Sequence, residues 1–537
     1  MCRATLQSKI EFVKPSVISQ ADLVIIGGGI NGAGLAAQAA QAGLSVVLFE
    51  KGDFASGTSS KSTKLIHGGI RYLEQGRFNL VFEALHERRR LMELAPHLVH
   101  PVPFLLPSYK GDRRPAWMLR LGLWLYSLLA GSNNFSHHEW HSPGETTQLA
   151  PGLGSLGLKG CGLYFDAQVN DARLVLENIL AAQKAGAHCY NYCRIIRIEQ
   201  NVSQTSVVYQ DDSSGEIGAI KASCLVNASG PWANQTAQLL SRGAQKLVRP
   251  TRGTHIVVPQ VLASHAVLIA AQRDNRVIFV IPWRDCSLVG TTDLDDSQDP
   301  DRVSPTEEEI QYLLTEAARV FPDYPWKRDK ILAAFAGLRP LAWIDGGHAS
   351  AISREDKILR SANLLTIVGG KLTTYHAMAR KTLRLVFEVL GKKPGALAEF
   401  PLPGTPNKPW THFIGEEIPR WVSNYGIREN QGSHLAQLYG QRAVEVLEIT
   451  RQNPGLKEQL HPERPELLAQ VYFAVQNEMA RHLEDVLLRR LEIGYTPQRW
   501  GEAPEKASHL MAELLKWDES TRQKELHLYR SRLYPPP

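Results

Sequence analysis

The chain alternates short apolar runs with longer amphipathic stretches, and the first such set is the sharpest. Leu23-Val24-Ile25-Ile26 is an uninterrupted apolar run of strand length. Ala33, Ala36, Ala37 and Ala40 then recur at helical spacing, and Gly43 ends that helix before a second run, Ser45-Val46-Val47-Leu48-Phe49. The pattern predicts strand, helix, strand. Helices are expected over Leu80 to Glu93 and Ala167 to Ala185, with strand-like segments from Tyr190 to Tyr209. Leu225-Val226-Asn227-Ala228-Ser229-Gly230 reads as a buried strand entering a glycine turn. From Arg249 to Asp293 strands dominate, in THIVVP, RVIFVIPW and CSLVGTTD, which suits a sheet lying over a site. A strand, a turn and a helix follow in LLTIVGGKLTTYHAMARKTLRLV. Pro401 to Pro409 is a linker by composition, and mostly helical patterns lie beyond it.

Between the first strand and helix stand Gly27, Gly28, Gly29, Gly32 and Gly34, of which Gly27, Gly29 and Gly32 fit G-x-G-x-x-G. The first glycine permits the tight turn, the second lets backbone approach a pyrophosphate, and the third lets helix pack on strand. The helix N-terminus offers N–H groups and partial positive charge to a diphosphate. Glu50, ending the second strand, is placed to accept hydrogen bonds from ribose hydroxyls. All the parts occur in order, which predicts a dinucleotide site. The motif does not separate NAD from FAD. The nucleotide-binding part, however, is interrupted and resumed along the chain, which favours the longer FAD, whose ring must meet several distant segments.

One apolar stretch has no place in that unit. In RRPAWMLRLGLWLYSLLAG, Arg113 to Gly131, residues Trp117, Leu121, Trp124 and Leu128 recur at helical spacing, with Arg113, Arg114 and Arg120 bordering or interrupting the run. It is too short to span a bilayer. Its pattern fits shallow insertion beside anionic headgroups or, equally, a helix packed in the core.

Composition narrows the class. The 537 residues are 43% hydrophobic and 21% charged, material for about three globular segments. The net charge of +6 suits an anionic substrate or membrane surface and does not argue for nucleic acid. The six cysteines are scattered without metal-ligand spacing, which reads as reduced thiols in a cytosolic setting and no metal. MCRATLQSKIEFVKPSV lacks the apolar core of a secretory signal, and no transmembrane helix is expected.

The strings VIIGGGINGAGLAA, TSSKSTKLIHGGIRYLE, LVNASGPW, GTHIVVP, FVIPW, VGTTD, GLRPL and VGGKLTTY, with LEDVLLRR near the C-terminus, resemble those of FAD-dependent glycerol-3-phosphate dehydrogenases of the membrane-associated, quinone-reducing type. The resemblance runs from about Asp22 into the C-terminal region. It implies an α/β protein: a glutathione-reductase-like, Rossmann-type FAD-binding domain, an antiparallel β-sheet substrate domain and a C-terminal helical domain. The expected layout is an N-terminal extension over 1–20, the FAD-binding domain over 21–95, 155–245 and 330–395, the substrate domain over 96–154 and 246–329, and the helical domain over 401–537.

The expected cofactor-binding set comprises Gly27, Gly28, Gly29, Asn31, Gly32, Glu50, Lys51, Ser229 and Gly230, with Thr58, Ser59, Ser60, Ser62 and Lys64 offering hydroxyls and N–H groups near diphosphate and flavin. His67, Gly68 and Gly69 let backbone approach the ring. Gly370, Lys371, Leu372 and Thr373 bring a helix N-terminus and a lysine to the edge where reduced flavin is anionic. For the phosphate, Arg71, Arg339 and Arg354 stand in matching motifs, with Tyr72 and Lys371 beside the substrate; guanidinium suits bidentate phosphate recognition. Arg339 ranks first, because in GLRPL it lies between apolar runs where an unpaired charge is costly. Arg354 stands where the family commonly has an aromatic residue two places on, and here that residue is Asp356.

The implied reaction oxidises sn-glycerol-3-phosphate to dihydroxyacetone phosphate, with hydride passing to flavin N5 and electrons to a quinone. A base is needed, and His67 and His255 are the candidates. Rival readings are a glycerol-3-phosphate oxidase using O2, an amine or amino-acid oxidase of the same fold, and a non-enzymatic FAD- or RNA-binding protein. The absence of basic clusters counts against the last. Expected partners are glycerol-3-phosphate, a quinone or other acceptor and an anionic membrane surface, with no nucleic acid; a homodimer is compatible. The expected location is cytoplasmic, peripherally attached to the inner face of the cell membrane.

Overall fold

The computed structural model describes residues 18–200, 204–241, 243–343, 356–395 and 399–533. The first strand, Gln20–Ile26, lies at the middle of an eight-stranded sheet, parallel to Val46–Phe49 on one side and to Ile217–Asn227 on the other. Leu23, Val24 and Ile25 are fully buried, as an apolar run with no alternation requires of a strand covered on both faces. Leu364–Val368 continues the parallel order, and Thr205–Asp211 and Cys193–Gln200 branch off as antiparallel partners. Helices Ile30–Gln41, Asp171–Lys184 and Tyr375–Leu390 pack together on this sheet. They cross closely because Gly34 has no side chain: a Cβ there would lie 2.7 Å from the Tyr375 ring.

The second layer is a ten-stranded, mostly antiparallel sheet built around Val248–Pro259, Val277–Trp283, Val99–Tyr109 and Leu158–Val169. Here the expected domain limits are corrected. Leu65–Ile66, Leu158–Val169 and Ala333–Ala342 belong to this second sheet, whereas the sequence reading placed all three in the FAD-binding part. Apolar strands look alike in both layers, and the chain passes back and forth between the two sheets along its length. The helix expected from Ala167 begins at Asp171, because Asn170 caps it: its side-chain oxygen accepts from the Arg173 N–H at 3.1 Å.

Beyond residue 408 the chain is helical, around a separate core that includes Trp421, Tyr439 and Tyr529. The linker before it is pinned rather than loose. The Gly404 N–H donates to Glu177 at 2.7 Å, and Thr405 Oγ1 donates to the Leu94 carbonyl at 2.5 Å.

Candidate active site

A cavity of about 1060 Å³ runs between the two sheets and reaches the helical domain. That is at or above the upper end for small-molecule sites and calls for a long ligand. At one end stands Glu50. Its carboxylate accepts from the Gly28 N–H at 2.7 Å and the Gly52 N–H at 2.8 Å, and burial pushes its pKa up. The glycines shape the wall beside it. A Cβ on Gly32 would sit 1.9 Å from the Gly27 carbonyl oxygen, and one on Gly28 would sit 2.6 Å from the Phe54 ring. Gly27 has φ +110°, which disfavours any side chain.

Helix Ile30–Gln41 points its N-terminus into the cavity. Gly29, its N-cap residue, contributes no side-chain cap, and Ser59 Oγ accepts from the Ile30 N–H at 3.0 Å. Asn31 also lines the cavity, and its Oδ1 is buried with no hydrogen-bond partner among the described residues. An acid at the ribose position, a glycine cradle at a helix N-terminus and an orphaned polar atom fit a dinucleotide.

The remaining expected cofactor residues divide. Lys51, Thr58, Ser60, Ser62, His67, Gly69, Ser229, Gly230, Gly370, Leu372 and Thr373 line the cavity. Several are tied by their own bonds: Lys51 to Asp301 at 2.6 Å, Thr58 Oγ1 to the Leu338 carbonyl at 2.6 Å, and Ser229 Oγ to Asn227 at 2.6 Å. Thr373 Oγ1 accepts from the His67 N–H at 3.1 Å. Gly28, Gly32 and Gly68 stand behind the wall, with the Gly68 N–H on the Tyr126 hydroxyl at 2.9 Å. Lys64 does not reach the cavity, contrary to expectation. Its ammonium is 1% exposed, 2.6 Å from Asp171 and 3.0 Å from Glu492. Burial opposes the charge, but the two carboxylates hold the ammonium above the usual lysine range.

The other end of the cavity gathers the expected substrate residues. Arg339, on Ala333–Ala342, directs Nη1 to Asp293 at 3.0 Å and Nη2 to Thr291 at 3.0 Å. It pairs with Thr251 across the sheet, and its guanidinium lies over Gly253, two residues along that strand, where a Cβ would lie 2.4 Å from Nη2. Likewise His255 faces Gly290 across its strand pair, where a Cβ would lie 2.1 Å from the imidazole. His255 Nε2 is 2.9 Å from Thr63 Oγ1, its ring stacks on Phe335 at 5.1 Å, and Nδ1 is buried without a partner among the described residues. Burial first, then Arg339 and Lys64, lower its pKa to about 3. Arg71 and Tyr72 line the same cavity, and Lys371 Nζ lies 4.1 Å over the Tyr72 ring. Arg354 falls outside the described residues.

Residues 22–384 match the model of the FAD-dependent oxidoreductases, and residues 398–522 match the C-terminal domain of alpha-glycerophosphate oxidase. A glycerol-3-phosphate dehydrogenase of Synechocystis is 38% identical, the match covering 89% of this chain and 90% of that protein. The chain belongs to the FAD-dependent glycerol-3-phosphate dehydrogenases. The human mitochondrial glycerol-3-phosphate dehydrogenase is 34% identical over 99% of this chain and 74% of that protein. The solved glycerol-3-phosphate dehydrogenase of Bacillus halodurans, complexed with FAD, superposes with a TM-score of 0.79 at 29% identity, over 95% of this chain and 94% of that one.

FAD is therefore the cofactor of this glycerol-3-phosphate dehydrogenase family member, as the cradle at Gly27 to Asn31 and Glu50 requires. Sequence reasoning missed some of the wall. Lys61, with its pKa lowered by burial and then by Arg489, lines the cavity, as do Thr291, Asp293, Arg489 and Tyr495. The last two come from the helical domain. Arg489 lies in the LEDVLLRR string, which carries no chemistry by itself, and Tyr495, five residues beyond it, had no signal.

Proposed function

We propose that the protein oxidises sn-glycerol-3-phosphate to dihydroxyacetone phosphate and passes the electrons to a membrane quinone. The observation that carries the substrate is Arg339 on the cavity wall, in one cavity with Arg71, Lys371 and both candidate histidines. Arg339 binds the phosphate in a bidentate way, helped by the charges of Arg71 and Lys371. FAD, held by the Gly27–Asn31 cradle and Glu50, would supply a hydride acceptor for the middle carbon. The hydroxyl proton goes to a histidine. His255 is neutral at working pH, the state a base requires, and an adjacent phosphate dianion raises its affinity for the proton. His67 remains the alternative, held on the same wall through its backbone contact with Thr373.

The supporting experiment is the visible spectrum of the holoprotein under anaerobic conditions. Glycerol-3-phosphate is expected to bleach the flavin band quickly, glycerol only slowly at high concentration, and sarcosine not at all; bleaching by sarcosine instead would favour an amine oxidase. In air, slow peroxide release with fast reduction of an added quinone analogue supports the dehydrogenase; fast peroxide release without quinone marks an oxidase.

The membrane reading rests on helix Ala116–Ala130. Leu119, Leu123, Tyr126 and Ala130 are buried, while Trp117, Leu121, Trp124 and Leu128 are 67%, 49%, 52% and 63% exposed. The buried face packs as a core helix does, and the exposed apolar face supports shallow insertion. The helix Phe78–Leu94 packed beside it adds exposed Phe78 and Phe82. Among the described residues no helix is long and apolar enough to cross a membrane. Shallow docking on the cytoplasmic leaflet is the reading we favour. Wild-type protein is expected to sediment with anionic liposomes at low salt, and Trp117→Glu/Trp124→Glu to stay in solution; equal sedimentation of both would remove this face from the contact.

A further inference from the structure

The helical domain does more than cover the cavity. Glu50 stands in a loop whose other side depends on a single buried acid. Asp53, 1% exposed, lines the cavity three residues after Glu50. A buried carboxylate is tolerated only when paired. Its cationic partners lie more than 430 residues away: Arg489 Nε donates to Oδ2 at 2.5 Å, and Arg490 Nη2 donates to Oδ1 at 2.9 Å. Arg490 is wholly buried and is fixed in turn by the Glu478 carbonyl at 2.8 Å. Within the loop, Gly52 N–H holds Glu50, Gly52 O accepts from the Tyr192 N–H at 2.9 Å, and the Ala55 N–H reaches Gly28 O at 3.1 Å. Anchoring Asp53 therefore fixes the turn that carries the ribose-facing carboxylate.

The same segment reaches the opposite end. Two residues after Arg490, Glu492 joins Lys64 at 3.0 Å. Tyr495 then lines the cavity, with its ring 5.5 Å from Phe335, which stacks on His255. One short segment of the helical domain thus borders the cavity beside Glu50 and beside the substrate residues.

We propose that the segment Asp485–Tyr495 is a positioning element for FAD, with Arg490 setting cofactor affinity through Asp53 and the Glu50 loop, although Arg490 itself does not line the cavity. Binding is tightest when the site is held in its bound shape beforehand, and this pair holds it. The inference rests on FAD as cofactor and not on the substrate.

The test is release of fluorescent FAD from the holoprotein on dilution, with thermal melting alongside. Arg490→Met is expected to weaken FAD by about ten- to a hundred-fold, the loss of one charged hydrogen bond or slightly more. Arg490→Lys keeps the charge without the fork and is expected to fall between; it carries the test if Arg490→Met does not fold. The decisive variant is Asp53→Asn/Arg490→Met, which leaves no unpaired buried charge. Recovered melting with FAD still weakened supports positioning. Wild-type FAD affinity in the folded double variant, or in folded Arg490→Lys, overturns it.

Discussion

Lys64 and Arg339 are both basic residues in motifs expected to face ligand, and the structure treats them in opposite ways. Lys64 is enclosed by Asp171 and Glu492 at 1% exposure, so its charge joins three parts of the chain in a dry cluster. Arg339 has Asp293 and Thr291 beside it but keeps 22% of its side chain exposed, on a cavity wall cleared by Gly253. A cation neutralised inside protein contributes cohesion. Arg339, paired with Asp293 yet part-exposed on the cavity wall, is where the proposed function has the phosphate bind. The difference lies in the partners, not in the residue type.

The comparison breaks most visibly at Arg339. Arg339→Ala should lower kcat/KM for glycerol-3-phosphate by about 10²- to 10⁴-fold, from two charged hydrogen bonds at about 1.5–3 kcal/mol each. Turnover of glycerol, which has no phosphate, should change far less. Arg339→Lys should recover little, because an ammonium lacks the fork. Equal losses on both substrates would show that Arg339 does not read phosphate.

Lys64 should fail in a different observable. Lys64→Met leaves Asp171 and Glu492 facing each other in the interior, which costs about 3–5 kcal/mol of stability when one member of a buried cluster is removed. The melting temperature should fall while KM for glycerol-3-phosphate in the surviving holoprotein stays within about twofold. A raised KM with unchanged melting would place Lys64 with Arg339 after all.

These two residues also mark where the sequence was readable. Glu50 and the Gly27–Gly32 cradle were legible because every part of that unit lies within one short stretch and each has a local reason. Arg339 was legible because an arginine between apolar runs needs a partner. Lys64 was not, because the acids that claim it, Asp171 and Glu492, are distant in sequence and nothing in KSTKL announces them. The same holds for Arg489 and Tyr495 on the cavity wall. The amphipathic split of Ala116–Ala130 was visible in its spacing, but which face meets protein was fixed only by packing on the second sheet. Strands Leu158–Val169 and Ala333–Ala342 were not singled out as strands, and the spans 155–245 and 330–395 put them with the FAD-binding part; a strand buried in either layer carries no label of which sheet it joins.

His255 senses both cations and gives the smallest, most diagnostic effect. Its folded pKa is about 3 against 6.5 for the free group, with burial the largest cause, then Arg339, then Lys64. Between those values the unfolded chain binds a proton that the folded protein refuses. Stability therefore declines as pH drops below about 6.5, by about 1.4 kcal/mol per pH unit from this residue. The measurement is the fall in Tm between pH 7 and about pH 3.5, a window that approaches the folded pKa, where a change in it becomes visible. Arg339→Ala removes one repelling charge, raises the folded pKa and should shrink that fall slightly, because burial remains. Lys64→Met should shrink it further, since Asp171 and Glu492, deprived of their cation, take up protons in the folded state and offset the loss. His255→Phe should remove the histidine contribution altogether. If Arg339→Ala and wild type lose Tm equally while His255→Phe loses less, burial alone sets the imidazole, and the wall cation leaves its neighbour's titration to the packing around it.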